Sequence, residues 1–322
     1  MTPSTRNASS LAAAVDVGAN SIRLLVAGFA GGQLRVAAKK RYTPRLGRGV
    51  AATGVLAPEA MTEALAVLDR CRATLDGLGV ERVRACGTSA LRAAANRDRF
   101  LQAAAGRGWP VEVVSGEEEA ALALAGALVG LPSLADLPVL VVDVGGGSTE
   151  LAFRPHAGGG GQPVSLSLPL GALSLTEAFA DPSAPGGLDG ARMNRHLHSQ
   201  LSPLMAQVLT AGQPAALVAT GGTACALAAL DRNLLYYDGR AIQGHALSRE
   251  ALDRLTTRLA ALVVDDRLAL PGLAARQGDI LLAGTAILQD LLALVGLSAL
   301  LVSDSGFLEG ILLSCLGAGS EP

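Results

Sequence analysis

Aromatic side chains are scarce in this chain of 322 residues, where Phe, Tyr and Trp together make up 3%. Proteins that bind single-stranded nucleic acid stack the bases on aromatic rings, so this scarcity argues against such a function. The formal net charge is −2, which excludes a general positive field around the molecule. A polyanionic partner would therefore need a local group of basic residues, and we expect no nucleic-acid partner.

Cysteine is also rare, with four residues far apart and no C-x-x-C pair. This pattern predicts neither a zinc site nor a disulfide framework, and it favours a reducing cytoplasm. The apolar stretch 120–135 contains Pro132 and is shorter than the roughly 20 residues that span a membrane. We therefore expect a soluble, cytoplasmic protein without a membrane partner.

Hydrophobic residues, in contrast, make up 50% of the chain, against 17% charged residues. They suffice for a large core, and the length suggests two domains. Gly31-Gly32 and Gly158–Gly161 predict hairpin turns. Apolar residues at helical spacing predict helices over about 58–78, 97–105, 115–129, 189–211, 248–263, 278–294 and 306–316.

One loop sequence occurs twice. Residues 15–21 and 142–148 share the form V-D-V-G-x-x-S, and each segment lies between two predicted apolar strands. Two copies so far apart indicate two similar units in one chain rather than a solenoid. A third glycine loop, Thr220–Thr223, follows another predicted strand.

Each repeated loop offers groups that bind phosphate. Glycines let backbone N–H groups approach an anion closely, and Ser21 and Ser148 can donate hydrogen bonds. Asp16 and Asp143 would repel phosphate unless a divalent cation lay between them, which predicts Mg²⁺ held partly by water. The alternative is that each loop is a tight β-turn. The pattern is neither a P-loop, because no Gly-Lys-Ser/Thr follows, nor a dinucleotide-binding loop, because a strand follows.

Charged residues near these loops allow two interpretations each. Ser115 and Glu118 form a predicted capping box, and Glu119 also complements the helix dipole, so none of them requires a catalytic function. The alternative is that Glu119 is catalytic. Arg92 suits bidentate phosphate binding, although an Arg at a helix start is often simply solvated. Arg23, on an apolar strand, needs an anionic partner or an exposed edge.

A basic segment could supply the local patch that a polyanion needs. It comprises Lys39, Lys40, Arg41, Arg45 and Arg48. A solvated face is the alternative for such a run of charge. The histidines show no arrangement that supports Ser-His-Asp chemistry.

Five segments together resemble the Ppx/GppA phosphatase family, which comprises the exopolyphosphatases and the guanosine pentaphosphate phosphatases. They extend from near the start of the chain to the middle of its second half, and their combination is more specific than any one motif. In the family's order they are residues 16–23, 87–96, 114–120, 142–150 and 220–223.

The resemblance implies the actin/Hsp70/sugar-kinase fold, in which two ribonuclease-H-like α/β domains enclose an active-site cleft. The expected domains are residues 1–130 and 131–303, with a last helix at about 304–320 that packs back on the first. A short, two-domain family member would remove a terminal phosphate by water with Mg²⁺ or another divalent cation. Its partners would be inorganic polyphosphate or a phosphorylated guanine nucleotide, with a homodimer as an alternative to a single chain.

The resemblance also implies the roles of individual residues. Glu119 would position or deprotonate the attacking water, and Arg92 would bind phosphate. Asp143 and Glu150 would hold or orient the metal. The residues that would grip phosphate are Asp16, Gly18, Asn20, Ser21, Arg23, Gly145, Gly146, Gly147, Ser148, Gly221, Gly222 and Thr223.

The sequence departs from the family's pattern at three places. Ala19 stands where Ser is frequent, Leu308 stands where Arg is common, and the segment Arg276–Asp279 is looser than the usual Arg-Ala-Asp. The last two concern polyanion or domain contacts rather than the chemistry. An exopolyphosphatase is the leading hypothesis, and a guanosine pentaphosphate 5′-phosphatase is the alternative. An ATP-dependent kinase of the same fold and a non-catalytic polyphosphate or alarmone sensor remain open.

Overall fold

Two β-sheets form the frame of the molecule in a computed structural model that describes residues 11–30, 33–156, 162–184, 186–273 and 277–317. The turns predicted at Gly31-Gly32 and Gly158–Gly161 lie outside these ranges, as does the last part of the helix expected to reach residue 320. None of the helices within these ranges is long and apolar enough to cross a membrane.

The first sheet has the strand order β3-β2-β1-β4-β5. β1, β2 and β3 form an antiparallel meander, and β4 and β5 continue parallel to β1. The elements in chain order are β1 (Ala12–Val17), β2 (Ile22–Ala30), β3 (Gln33–Tyr42), α1 (Val50–Thr53), α2 (Pro58–Leu78), β4 (Arg82–Gly87), α3 (Ser89–Ala93), α4 (Arg97–Ala105), β5 (Val111–Val113) and α5 (Gly116–Val129).

A 3₁₀ turn at Pro132–Leu134 leads to the second sheet, whose strand order is β10-β11-β9-β6-β7-β8. The elements are β6 (Val139–Val144), β7 (Thr149–Arg154), β8 (Val164–Leu168), α6 (Ala172–Ala178), α7 (Gly190–Ala211), β9 (Ala216–Thr220), α8 (Gly221–Asp231), α9 (Gly239–Ile242), β10 (Ala246–Ser248), α10 (Arg249–Ala261), α11 (Val264–Leu268), α12 (Leu281–Val295), β11 (Ala299–Val302) and α13 (Phe307–Leu316).

The repeat in the sequence is a repeat in the structure. β1 and β6 are fully buried and aliphatic except for one Asp near the end of each, as expected for strands covered on both faces. Each turns through its glycine loop into an antiparallel partner, and each has a parallel neighbour on its other side, β4 or β9. In register, Asp16 lies opposite Arg23 and Asp143 lies opposite Glu150. The residue paired with the loop aspartate is therefore positively charged in the first copy and negatively charged in the second.

Two helices connect the two sheets. α13 packs against β1 and against α5, and α5 packs in turn on β6, β7 and β8. The α13 contact with the first sheet is apolar, with Phe307, Ile311 and Leu312 buried beside β1. On its other side, α5 places Ala127 against Val141 and Val218 of the second sheet. This packing fixes Glu119, in the first turn of α5, relative to both sheets.

Glycines make the close contact between α5 and α13. A Cβ atom on Gly126 would lie 1.9 Å from the carbonyl oxygen of Gly306, and one on Gly310 would lie 2.0 Å from that of Leu122. Neither clash is with a flexible side chain, so the helices would have to separate.

Gly126→Ala is therefore expected to destabilise the protein. Overpacking of a rigid contact costs about 1–3 kcal/mol, which outweighs the gain of nearly 1 kcal/mol in helix propensity. Gly77→Ala in α2 is the matched control, because its Cβ would meet no atom within 4 Å. Urea unfolding should show a lower midpoint for the first variant and an equal or higher one for the second. A midpoint for Gly126→Ala at or above that of the wild type would contradict the packing described.

Candidate active site

A cleft of about 80 Å³ lies where the two glycine loops meet. In open α/β sheets, ligands bind outside the carboxyl ends of the strands, and β1 and β6 both end here. Fourteen of the residues predicted from the sequence line it. They are Asp16, Gly18, Asn20, Ser21, Arg23, Glu119, Asp143, Gly145, Gly146, Ser148, Glu150, Gly221, Gly222 and Thr223.

The two repeated loops have the same backbone geometry and touch one another. The N–H of Gly18 donates to the carbonyl of Ser21 at 3.0 Å, and that of Gly145 donates to Ser148 at 2.9 Å. A Cβ atom on Gly146 would lie 2.9 Å from the Cβ of Asn20. The side-chain oxygen of Asn20 is buried, with no hydrogen-bond partner in the described part of the chain. This oxygen is therefore available to accept a hydrogen bond from a ligand or water in the cleft.

The third loop closes on the second carboxylate. Gly221 has a φ of +86°, in the left-handed region that favours glycine. A Cβ atom there would lie 2.3 Å from the Asp143 Oδ1 atom. Glycine is therefore required twice over, by its backbone conformation and by its distance from Asp143. This explains the first glycine of the Gly-Gly sequence after β9.

Glu119 and Arg92 form an ion pair beside the cleft. Arg92 Nη1 donates to Glu119 Oε2 at 2.5 Å and to the carbonyl of Val114 at 3.2 Å. Burial raises the pKa of Glu119 to about 7, with Arg92 opposing the rise and the charges of Asp16 and Asp143 adding to it. A carboxylate with a pKa near neutrality is suited to accept a proton at physiological pH.

The helix start explains the neighbours of Glu119 better than it explains Glu119 itself. Ser115 Oγ accepts from the N–H of Glu118 at 3.1 Å, as a capping residue does. The carboxylate of Glu118 accepts from Arg84 Nη2 at 2.7 Å and is half exposed. Within the described contacts, then, only the serine half of the predicted capping box is formed. Glu119 is 7% exposed and turns into the cleft instead.

Glu150 is a buried part of the cleft lining and lies beside the same arginine. Its Oε1 atom accepts from Ser167 Oγ at 2.7 Å and lies 3.7 Å from Arg92 Nη2. Burial raises the pKa of Glu150 well above its usual value, and the charge of Glu119 raises it further. Burial likewise raises the pKa of Asp143 to about 6, although Arg23 opposes this. These carboxylates lack sufficient positive charge around them.

The donor set fits a divalent cation. Four buried carboxylates line the cleft, those of Asp16, Glu119, Asp143 and Glu150. Among the described residues no three His, Cys, Asp or Glu side chains form a ready metal-binding group. Mg²⁺ does not need one, because it is bound through one or two carboxylates together with waters and substrate phosphates. Such an ion would therefore offset the excess negative charge of these buried carboxylates, whose oxygens can act as its ligands.

Arg23 has the anionic partner that its position on an apolar strand requires. Its Nε atom donates to Asp16 Oδ2 at 2.8 Å, between residues paired in register. Burial still raises the pKa of Asp16, and Arg23 opposes that rise. The guanidinium is one-quarter exposed and lines the cleft, so it can face a ligand while it neutralises Asp16.

Two residues predicted for the site lie outside the cleft lining. Arg92 is behind Glu119, in the last turn of α3. Gly147 packs against the first loop's neighbour, since a Cβ atom there would lie 2.7 Å from Ser89 Oγ. Arg92 thus contacts Glu119 rather than lining the cleft, and the absence of a side chain at Gly147 leaves room for Ser89 and Ala19.

Four polar residues of the lining were not predicted as site residues. They are Arg41, Thr88, Ser89 and Gln277. Thr88 and Ser89 belong to one of the five segments that resemble the family, and Arg41 belongs to the basic segment. The sequence therefore contained an indication for each of these three residues. Gln277 belongs to the segment that departs from the family pattern. Its neighbour Arg276 lies outside the described residues.

Ser167 was missed because β8 itself was not predicted. Its hydroxyl donates to Glu150 and accepts from Arg92 Nη2 at 3.4 Å, so it joins the two charged groups. Ser167→Ala is expected to lower the catalytic rate about tenfold with little change in KM, because each neighbour loses a fixed contact. Ser165→Ala, two residues away on the same strand, should leave the rate unchanged. Steady-state kinetics of both variants would test this. Equal rates for the two would contradict the positioning role.

Comparisons with known proteins agree with the geometry. The model of the Ppx/GppA phosphatase family matches residues 25–318. Exopolyphosphatase 2 of Mycobacterium tuberculosis is 34% identical over 323 residues, covering 95% of this chain and 98% of that protein.

Solved structures of the family are also similar. A Ppx/GppA family member from Aquifex aeolicus is 29% identical with a TM-score of 0.79, over 97% of this chain and 99% of that one. An exopolyphosphatase from Cytophaga hutchinsonii is 26% identical with a TM-score of 0.86, over 96% and 98%.

Fold and cleft together define a two-domain α/β protein of the actin/Hsp70/sugar-kinase class, which confirms the fold expected from the sequence. The chain belongs to the Ppx/GppA phosphatase family. The first glycine loop precedes the residues that the family model matches, so its assignment rests on the structural repeat.

Proposed function

We propose that this protein is an exopolyphosphatase, which hydrolyses the terminal phosphate of inorganic polyphosphate and releases orthophosphate in a Mg²⁺-dependent reaction. The observation that carries the proposal is the buried Glu119–Arg92 pair beside a cleft formed by two glycine loops. The 34% identity to an exopolyphosphatase over nearly the whole chain supports the same substrate.

The glycine loops would bind the terminal phosphate. Backbone N–H groups in such loops form a concave site for anions, and Ser21 and Ser148 add hydroxyl donors. Arg23 brings positive charge to the same wall. Together these groups would hold the phosphorus in one position relative to Glu119, which lowers the entropic part of the barrier.

Glu119 would then accept a proton from the attacking water. The water oxygen forms a bond to the terminal phosphorus, and the bond from that phosphorus to the bridging oxygen breaks. The bridging oxygen leaves with the shortened chain. Arg92 holds Glu119 by the 2.5 Å hydrogen bond, so the carboxylate keeps its orientation toward the cleft. We also propose that Arg92 contributes positive charge to the transferred phosphate, since phosphoryl transfer depends on positioning and charge stabilisation.

Asp143 and Glu150 would hold the divalent cation. Its chemistry when bound is to neutralise charge on the phosphate oxygens. Glu150 is the more buried of the two and is fixed by Ser167, whereas Asp143 has no hydrogen-bond donor on its carboxylate among the described residues. Asp143 is therefore the more accessible ligand, and Glu150 would orient the cation.

Orthophosphate release from long-chain polyphosphate, with and without Mg²⁺, is the test of this function. We expect steady release that stops when EDTA is added. Guanosine pentaphosphate in a parallel assay distinguishes the alternative phosphatase. A higher kcat/KM for the nucleotide, or no release from polyphosphate, would overturn the assignment. Transfer of phosphate from ATP to a sugar or acid would indicate a kinase, and binding without turnover would indicate a sensor.

A further inference from the structure

A second cavity of about 280 Å³ adjoins the cleft. β2 and β3 of the first sheet line one side of this cavity, and α8 and α13 line the other. A ligand that is longer than a single phosphate can therefore extend from the cleft into this space. The residues that line both cavities are Arg23, Arg41, Gly221, Gly222 and Gln277.

Arg41 lies at the junction of the two cavities without an acidic partner. Its Nη1 atom donates to Gln277 Oε1 at 3.3 Å, and its Nε atom is buried with no partner in the described part of the chain. Burial lowers its pKa, and the positive charge of Arg23 lowers it further. A largely buried guanidinium without an anion is unfavourable, so an anionic ligand would stabilise it.

The position of the Arg41 guanidinium is built into the third glycine loop. Gln277 Nε2 donates to the carbonyl of Gly222 and so holds the amide that faces Arg41. A Cβ atom on Gly222 would lie 2.9 Å from Gln277 Nε2 and 3.2 Å from Arg41 Nη2. Glycine at this position leaves room for the planar group, which presents its donors in a fixed fork.

The other cations around the two cavities are already engaged or solvated. Arg23 is paired with Asp16. Lys39 lies 2.9 Å from Asp304 and 3.1 Å from Glu309, so its charge is shared between the two acids of the second cavity. Lys40 is exposed and donates to a threonine hydroxyl. Within the described lining, Arg41 combines burial with the lack of an acidic partner.

We propose that Arg41 binds the phosphate groups next to the one that is removed, and that the second cavity receives the rest of a linear phosphate chain. The assignment rests on the proposed exopolyphosphatase activity. A phosphoanhydride chain carries charge along its whole length, which suits a guanidinium placed beyond the catalytic loops. Lys39 offsets part of the negative charge of Asp304 and Glu309, and Lys40 lines the same cavity, so the repulsion between these acids and the chain is reduced.

The test compares Arg41→Gln with Arg35→Gln. Arg35 is exposed on the same strand and away from both cavities, so its variant removes the same charge without touching the junction. Binding of tripolyphosphate and of long-chain polyphosphate is measured by calorimetry, alongside KM and kcat. Arg41→Gln should raise Kd and KM on the order of tenfold to a hundredfold, as expected when a hydrogen bond to a charged group is lost. The effect on kcat should be smaller, and Arg35→Gln should match the wild type.

Further arms separate the ways in which the proposal can fail. Arg41→Lys keeps the charge without the fork and should recover part of the affinity, which would show that Arg41→Gln is folded but deficient. Equal binding by the two Gln variants would overturn the assignment of Arg41. A wild type that binds polyphosphate through Arg41 but releases no orthophosphate would contradict the proposed activity and support the subsite.

A nucleotide probe decides what the second cavity takes. Leu308 and Tyr237 give it an apolar wall, which a nucleoside could also contact. Guanosine triphosphate should bind no more tightly than tripolyphosphate if the cavity takes a phosphate chain. Tighter binding of the nucleotide, with the advantage lost in Tyr237→Ala, would overturn the chain assignment in favour of a nucleoside.

Discussion

Glu119→Gln is expected to lower kcat for orthophosphate release by about 10²–10⁴-fold, the contribution of a positioned general base. The amide keeps the shape of the side chain and can still accept from Arg92, but it cannot take a proton from water. Burial raises the pKa of Glu119 to about 7, so the folded protein accommodates an uncharged side chain here, and the variant should remain folded.

Glu118→Gln is the matched control for this variant. Glu118 is the preceding residue of the same helix, and its carboxylate faces Arg84 at the surface. We expect an exposed pair of this kind to contribute about 1 kcal/mol or less to stability and nothing to the rate. A similar fall in kcat for both variants, or no fall for Glu119→Gln, would show that Glu119 is not the base.

The pH dependence of the wild-type rate follows from the same residue. A general base acts in its deprotonated form, and burial raises the pKa of Glu119 to about 7. The rate should therefore rise as the pH increases through about 7 and level off above it, whereas an ordinary glutamate would already be deprotonated by pH 6. The residual activity of Glu119→Gln should lack this rise. A wild-type profile that is flat between pH 6 and 8 would contradict the assignment.

Asp143→Asn is expected to lower kcat on the order of a thousandfold and to weaken Mg²⁺ binding, because a metal ligand contributes several kcal/mol of charge stabilisation to phosphoryl transfer. Asp136→Asn, in the exposed segment before β6, should leave both unchanged. Titration calorimetry with Mg²⁺ and the rate at saturating Mg²⁺ measure the two effects. Unaltered Mg²⁺ affinity would exclude Asp143 as a ligand.

The stability of the metal-free protein gives an independent readout for Asp143. Burial raises the pKa of its carboxyl to about 6, which means that the folded protein favours the neutral form. A raised carboxyl pKa contributes stability at low pH that is lost as the pH rises through the folded-state value. In EDTA at pH 8, Asp143→Asn should therefore have a higher Tm than the wild type. The two should converge near pH 4, and Mg²⁺ should stabilise only the wild type.

Much of the fold could be predicted from local patterns. The helix predicted over 58–78 has the observed bounds, and the one predicted over 115–129 begins one residue later, at Gly116, because their apolar spacing and glycine ends are strong signals. β8 was missed, because Val164–Leu168 is a short segment of alternating Ser and aliphatic residues in a polar, glycine-rich region. That omission concealed Ser167 and its contacts with Glu150 and Arg92.

The site was predicted in its parts but not in its arrangement. Two loops of the form V-D-V-G-x-x-S determine, through glycine geometry and strand-end position, that the chain makes two similar turns of a type suited to bind anions. The loop sequences do not show that the two aspartates have different charged neighbours. In the structure Asp16 is neutralised by Arg23 in register, whereas Asp143 stands opposite Glu150 and remains without a nearby paired cation among the described residues.

By itself, then, the sequence determined the family, the repeated strand–loop–strand units and the residue types that meet a phosphate. The tertiary structure decided that Glu119, among the acids at the start of α5, faces the cleft. It also decided that Arg41, among the basic residues of its segment, is available to a ligand. Helix-start rules alone do not separate Glu119 from Glu117 and Glu118, and in sequence the family resemblance singled it out. The packing of α5 between the two sheets buries Glu119 against Arg92. Arg41 is one of several basic residues in sequence. Contact between distant segments places its guanidinium beside Gln277, and among the described residues it forms no ion pair with an acid. Burial and long-range pairing are properties of the folded chain, and local spacing does not encode them.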